Sequence, residues 1–257
     1  MAVSFHGRSN SVPSIQHPQA AHIDEQLTRL RSSEAASSSS SSFIYQRLSN
    51  LQDLHDSLVK LLRLSISNQA LSQDQIEKLL DGSLRILDLC NVAKDAFSQM
   101  KEGLKEIQSI LRRKRGDLSA EVKKYLAIRK FMKKSFQKVL KNLKVFQNKD
   151  NTDESLVVFR EAEAVTIALF ESLFSFMSGS KACVKWPLVS KLMSQNKSTC
   201  EAEANEFTRV DFEFQSEKSL KMEDVQILES CIQDLEDGIE SLSKSLIKYR
   251  VSLLNIL

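Results

Sequence analysis

The stretch LSQDQIEKLLDGSLRILDLCNVAKDAFSQMKEGLKEIQSILRRKRG, Leu71 to Gly116, decides how the rest of the chain must fold. It holds no proline. Its residues Ile76, Leu79, Ser83, Ile86, Cys90, Ala93, Phe97, Met100, Leu104, Ile107 and Leu111 are spaced by alternating steps of three and four. That rhythm draws one face down a long α-helix, and such a face is stable in water only when partner helices cover it. The spacing predicts a helix over Ser72–Arg115, about 60 Å long at 1.5 Å per residue. Ser72 is placed to cap it, Asp74 suits its first turn, and Gly116 with the cations of Arg112–Arg115 suits its end. Gly82 and Gly103 fall inside and each weakens the helix by about 1 kcal/mol relative to Ala, so each is expected to mark a bend or a close crossing.

Working outward, the neighbouring segments supply further helices. Ile44, Leu48, Leu51, His55, Leu58 and Leu62 keep helical spacing over Phe43–Leu64. After Gly116, Asp117 or Ser119 can cap a helix whose apolar face is Val122, Tyr125, Met132, Phe136, Val139, Leu143 and Phe146. A fourth helix, about Glu154 to Met177 with Thr152 or Asp153 as cap and Gly179 as stop, is apolar on most sides and belongs in the middle of a bundle. Pro187 suits the first turn of a short helix over Leu188–Met193. The polar stretch 197–217 gives no decisive signal. The last helix begins near Ser219 and carries Leu228, Ile232, Leu235, Ile239, Leu242, Leu246, Tyr249, Leu253 and Ile256, a second heptad face expected to pack along the first. The fold class is therefore all-α: an elongated antiparallel multi-helix bundle with two long heptad-patterned helices.

Composition agrees. The chain has 257 residues, six Gly and three Pro, which leaves long helices unbroken and provides ample chain for a core. Residues 1–42 read as a disordered Ser-rich tail, with at most a helical turn around Ile23–Leu30, and 43–257 as a single helical-bundle domain. Cys90, Cys183, Cys200 and Cys231 form no C-x-x-C pair and predict buried, reduced thiols. The most apolar segment, Ala164–Met177, is too short to span a bilayer and carries Glu171. No apolar run at the start suits a signal peptide, so the expected protein is intracellular, most simply cytoplasmic, and not secreted.

Charge is the sharpest functional signal. The net charge is +3, yet residues 112–149 hold fourteen Lys/Arg against two acids, leaving 22 Lys/Arg against 31 Asp/Glu elsewhere. On the helix within 117–149 the basic face carries Lys123, Lys130, Lys134, Lys138 and Lys141, beside Lys124, Lys133 and Lys144. A basic amphipathic helix can attract anionic lipid while its apolar face docks at the interface, or serve an acidic partner such as calmodulin; the bland alternative is a solvated face. Nucleic acid is disfavoured, because no exposed aromatics interleave with the lysines. In the tail, Arg8–Pro13 has the R-S-x-S-x-P form of a 14-3-3 ligand, with Ser11 as the candidate phosphosite. His6, His17 and His22 lie in the tail, and His55 is expected at the core edge with a local hydrogen bond. Glu161 and Glu163 point to different sides of one helix, and Asp234, Glu236, Asp237 and Glu240 read as a solvated acidic face. No P-loop, G-x-G-x-x-G, H-E-x-x-H or G-x-S-x-G pattern occurs, and the pattern points to no cofactor, no metal and no enzyme.

Several stretches, taken in order, are similar to one family: RSNSVPSIQHP (Arg8–Pro18), LLDGSLRILDLCNVAKDAFSQMKE (Leu79–Glu102), LRRKRG (Leu111–Gly116), REAEAVT (Arg160–Thr166), LVSKLM (Leu188–Met193), IQDLEDGIE (Ile232–Glu240) and RVSLLNIL (Arg250–Leu257). Together they resemble the plant-specific BYPASS-like family. The resemblance implies a land-plant origin and a role in root and shoot development. It implies no catalytic residue and no cofactor, and it leaves the protein partners unknown.

Overall fold

The computed structural model describes residues 18–34, 40–67, 71–147, 156–179, 205–216 and 220–256. Seven helices make up these residues: α1 (Pro18–Glu34), α2 (Ser41–Ser67), α3 (Gln73–Arg113), α4 (Leu118–Gln147), α5 (Val157–Ser178), α6 (Glu206–Ser216) and α7 (Met222–Leu254). Among the described residues there is no strand, so the fold is all-α.

The α3 helix forms as its sequence requires. Ser72 and Gln75 make a capping box: the Ser72 hydroxyl accepts from the Gln75 N–H, and the Gln75 side chain accepts from the Ser72 N–H at 2.9 Å. Ten of the eleven residues of the predicted face, Ile76 through Ile107, are buried, and Leu111 packs partly against the core. Both glycines mark crossings rather than breaks. A Cβ on Gly82 would meet the Glu163 carboxylate of α5 at 2.7 Å, and one on Gly103 would meet the Tyr125 ring of α4 at 3.0 Å.

The second heptad helix, α7, packs along α3 as expected, and equally along α2. Its side-chain partners fix the directions. Lys101 pairs with Glu236 and Gln108 Nε2 donates to Glu229 at 2.6 Å, while Arg250 donates to the Leu80 carbonyl and to Ser83 at the other end of α3, so α3 and α7 run antiparallel. Leu48 of α2 lies against Gly238 and His55 against Tyr249, so α2 and α7 run parallel. The last helix is thus seated between the arms of the α2–α3 hairpin. Met100 and Leu246, one from each heptad face, are both fully buried. The apolar α5 helix is central: it touches α1, α2, α3, α4 and α6.

Two expectations are corrected, and part of one open stretch takes a definite form. The unstructured tail does not extend through residue 42. Pro18–Glu34 is a helix, and Ile23, Leu27 and Leu30, spaced four and three, are buried against α2 and α5. Three apolar residues in a polar segment form a stable helix once a neighbour covers them. The α5 helix starts at Val157 after Leu156, which makes no side-chain cap bond. And residues 206–216 of the undecided stretch form α6, with Phe207, Val210 and Phe214 turned inward. Ser11, His6, His17, Thr152, Asp153, Cys183, Cys200 and Leu188–Met193 lie outside the described residues.

Candidate functional site

The α4 helix is built from two incompatible faces. Asp117 starts it, its carboxylate accepting from the Ala120 N–H at 3.0 Å. Val122, Tyr125, Met132 and Phe136 then point into the bundle, with Phe136 stacked on Phe174 of α5 at 4.4 Å between ring centres. This corrects the picture of an amphipathic helix offering its apolar side to lipid or to a calmodulin-like clasp: that side is already occupied by α3, α5 and α6.

Between Tyr125 and Met132 the inward stripe contains a charge. Arg129 is only 2% exposed. Its guanidinium grips Asp211 of α6 in a two-pronged pair at 3.0 and 2.9 Å, donates to the Met177 carbonyl at the end of α5, reaches the Met100 sulfur of α3 at 3.7 Å, and lies 5.0 Å from the centre of the Phe207 ring. One side chain thereby ties four helices together. The alternating count passes over Arg129 because it looks like one more cation in a basic run; its position four after Tyr125 and three before Met132 is the signal that places it on the seam.

The outer face carries the predicted lysines. Lys123, Lys130, Lys134, Lys138 and Lys141 are all exposed, as is Lys124, which lies 3.5 Å from Glu121. At 100° per residue these six fall within an arc of about 120°, spread over about 27 Å of helix. Among the described residues no acid forms an ion pair with the other five. The face also corrects the expectation that no exposed aromatic interleaves with the lysines: Phe131, 66% exposed, lies between Lys130 and Lys134. A second exposed aromatic, Phe212 at 72%, follows Asp211 on α6. The Arg129–Asp211 pair therefore has an outward phenylalanine within a helical turn on each side.

The interior titratable groups are committed to structure. His55 is buried in the core rather than at its edge, and its bond is long-range: Nε2 lies 3.0 Å from the Thr166 hydroxyl of α5. That hydroxyl donates to the Ala162 carbonyl at 2.6 Å, so it accepts from His55, which fixes the Nε2–H tautomer. Nδ1 is buried without a hydrogen-bond partner. Desolvation lowers the His55 pKa to about 4, partly offset by Asp56, so the ring is neutral at pH 7. Burial likewise pushes the Cys90 thiol up to about 11 and Cys231 to about 12, which keeps both as inert thiols. The Tyr125 and Tyr249 hydroxyls are also raised by burial. Glu161 and Glu163 diverge as the helix geometry requires, one pairing with Arg31 of α1 and the other with Arg85 of α3. Of the expected acidic face, Asp234, Asp237 and Glu240 are exposed, whereas Glu236 is partly buried against Lys101. Among the described residues no group of three or more His, Cys, Asp or Glu could hold a metal ion, and no helix is long and apolar enough to cross a membrane.

A family model described as Protein BPS1 matches residues 47–256, from within α2 to the end of α7. No curated protein and no solved structure matches the chain.

Proposed function

The chain belongs to the BPS1 family, consistent with its BYPASS-like sequence, and on that premise we propose that it is a non-enzymatic helical interaction protein of root and shoot development, with the outer face of α4 as its contact surface. The observation that carries this reading is a lysine face, five of whose members have no ion-pair partner among the described residues, on a helix whose other side is locked into the core. Five like charges on one helix repel one another and disfavour the isolated fold; an anionic partner relieves that repulsion. The interior polar groups supply cohesion, with Arg129, His55 and Glu163 each spent on joining helices. The proposed setting is intracellular and cytoplasmic, with 14-3-3 as a further partner at phosphorylated Ser11.

Proximity labelling in root tissue tests the contact surface. The partner set of the native chain is compared with that of the Lys130→Glu, Lys134→Glu, Lys141→Glu variant. The reading predicts that a defined subset of partners disappears from the variant while its abundance stays normal. An unchanged partner set sinks it, and turnover of a small molecule by the purified chain sinks the non-enzymatic assignment.

A further inference from the structure

We propose that the α4 lysine face docks the protein onto an anionic lipid bilayer, with Phe131 entering the interfacial layer while the lysines neutralise the headgroups around it. This rests on the reading of α4 as the contact surface and names the partner of that surface.

The shape of the face excludes much. It is the convex outside of a single helix, about 27 Å long, rather than a groove. A peptide or a helix is normally gripped in a concave site lined by apolar pockets. A convex strip of charge instead matches a plane. The kind of cation points the same way. All six exposed cations between Lys123 and Lys141 are lysine, and the one arginine of that span, Arg129, is turned inward. Recognition of a phosphopeptide or of a base edge favours the flat, forked guanidinium, and protein interfaces are depleted in lysine. A fluid layer of headgroups needs no fork. It needs point charges on long stems that can adjust their height, which lysine provides. A second copy of the same face would meet it with like charge, so self-association through this surface is repulsive.

Phe131 supplies the apolar half. A phenylalanine left two-thirds exposed among lysines gains little in water, but at a bilayer its ring reaches the acyl boundary while the neighbouring ammonium groups stay with the phosphates. Because the inner face of α4 stays in the core, docking leaves the bundle intact. Binding is therefore shallow, dominated by charge and sensitive to salt.

The test is co-sedimentation of the full chain with vesicles of phosphatidylcholine alone, or with about 30 per cent phosphatidylserine, at low and high salt. The expected result is binding to the anionic vesicles only, abolished at high salt. Each lysine contributes roughly a fivefold factor, so the Lys130→Ala, Lys134→Ala, Lys138→Ala variant should bind roughly a hundredfold more weakly. Phe131→Ala should lose roughly tenfold. All four positions are exposed, so circular dichroism should match the native chain and thermal unfolding should match it or, for the lysine triple, rise slightly as the repulsion is relieved; a triple Ala variant at Lys60, Lys105 and Lys248 controls for bulk charge and should bind normally. Equal binding to neutral vesicles, no binding at all, or indifference to both the α4 triple and Phe131→Ala overturns the proposal. So does tighter binding to a soluble polyglutamate peptide that ignores Phe131, which would identify an acidic protein partner instead. If vesicles fail while the Lys→Glu variant still loses its partners in root tissue, the contact surface stands and the bilayer falls; if neither responds, both fall.

Discussion

Removing the Arg129 side chain should do more damage than any other single truncation of a charged residue in α4. Arg129→Ala deletes a buried cation and leaves the Asp211 carboxylate, 13% exposed, facing a cavity where its two hydrogen bonds were. Breaking one side of a buried pair costs about 3–5 kcal/mol, because the remaining charge is desolvated and unpaired. The Met177 carbonyl also loses its donor and the Phe207 ring its cation. For a chain of this size about 4 kcal/mol lowers the unfolding midpoint by roughly 8–16 °C. Arg129→Lys keeps the charge but not the fork, so it should fall between native and Ala. The decisive assay is a double-mutant cycle in urea on Arg129→Met, Asp211→Leu and the pair, with stability from the linear extrapolation. Removing both charges should cost less than the sum of the single changes by about 2 kcal/mol or more, since no lone charge remains. Additive costs, or an Arg129→Ala loss below about 1 kcal/mol, would refute the claim that this contact holds α3, α4, α5 and α6 together.

Three further outcomes follow from the interior. His55 titrates near pH 4 when folded and near 6.5 when unfolded, so the unfolded chain binds the proton first as pH drops; stability is full above about 6.5 and declines toward pH 4, by up to about 3 kcal/mol, and the difference in pH profile between the native chain and His55→Met should show this loss. Gly238→Val should destabilise by about 2–3 kcal/mol in urea, since a Cβ there already meets Leu48 at 3.1 and 3.3 Å in the α2–α7 contact, whereas Gly→Ala at an open helical site would stabilise. In a Cys183→Ser, Cys200→Ser background, Cys90 and Cys231 should be silent to a thiol reagent at pH 8 until the protein unfolds.

The two long helices were legible because their signal is local: the three-four rhythm of α3 and α7 requires one buried stripe each, and Ser72 with Asp74 names the start of α3. The same rhythm is silent on who covers the stripe. That α7 lies between α2 and α3 depends on side chains far apart in sequence, such as Leu48 against Gly238. The α1 helix was hidden because its seventeen residues hold few apolar anchors and its stability comes from α2 and α5 rather than from its own composition. In the candidate site the exposed lysines were readable from spacing, while two residues were not. Arg129 was masked by the cations around it, and Phe131 falls off the apolar stripe, where spacing alone gives an aromatic no role.

Lysine-reactivity footprinting by mass spectrometry, comparing the purified chain with the same chain in living root cells, bears most directly on the account. Protection in cells should concentrate on Lys123, Lys130, Lys134, Lys138 and Lys141, while the exposed Lys60 of α2 reacts alike in both settings. Full reactivity of the α4 lysines in cells, or protection spread evenly over the surface, would contradict it.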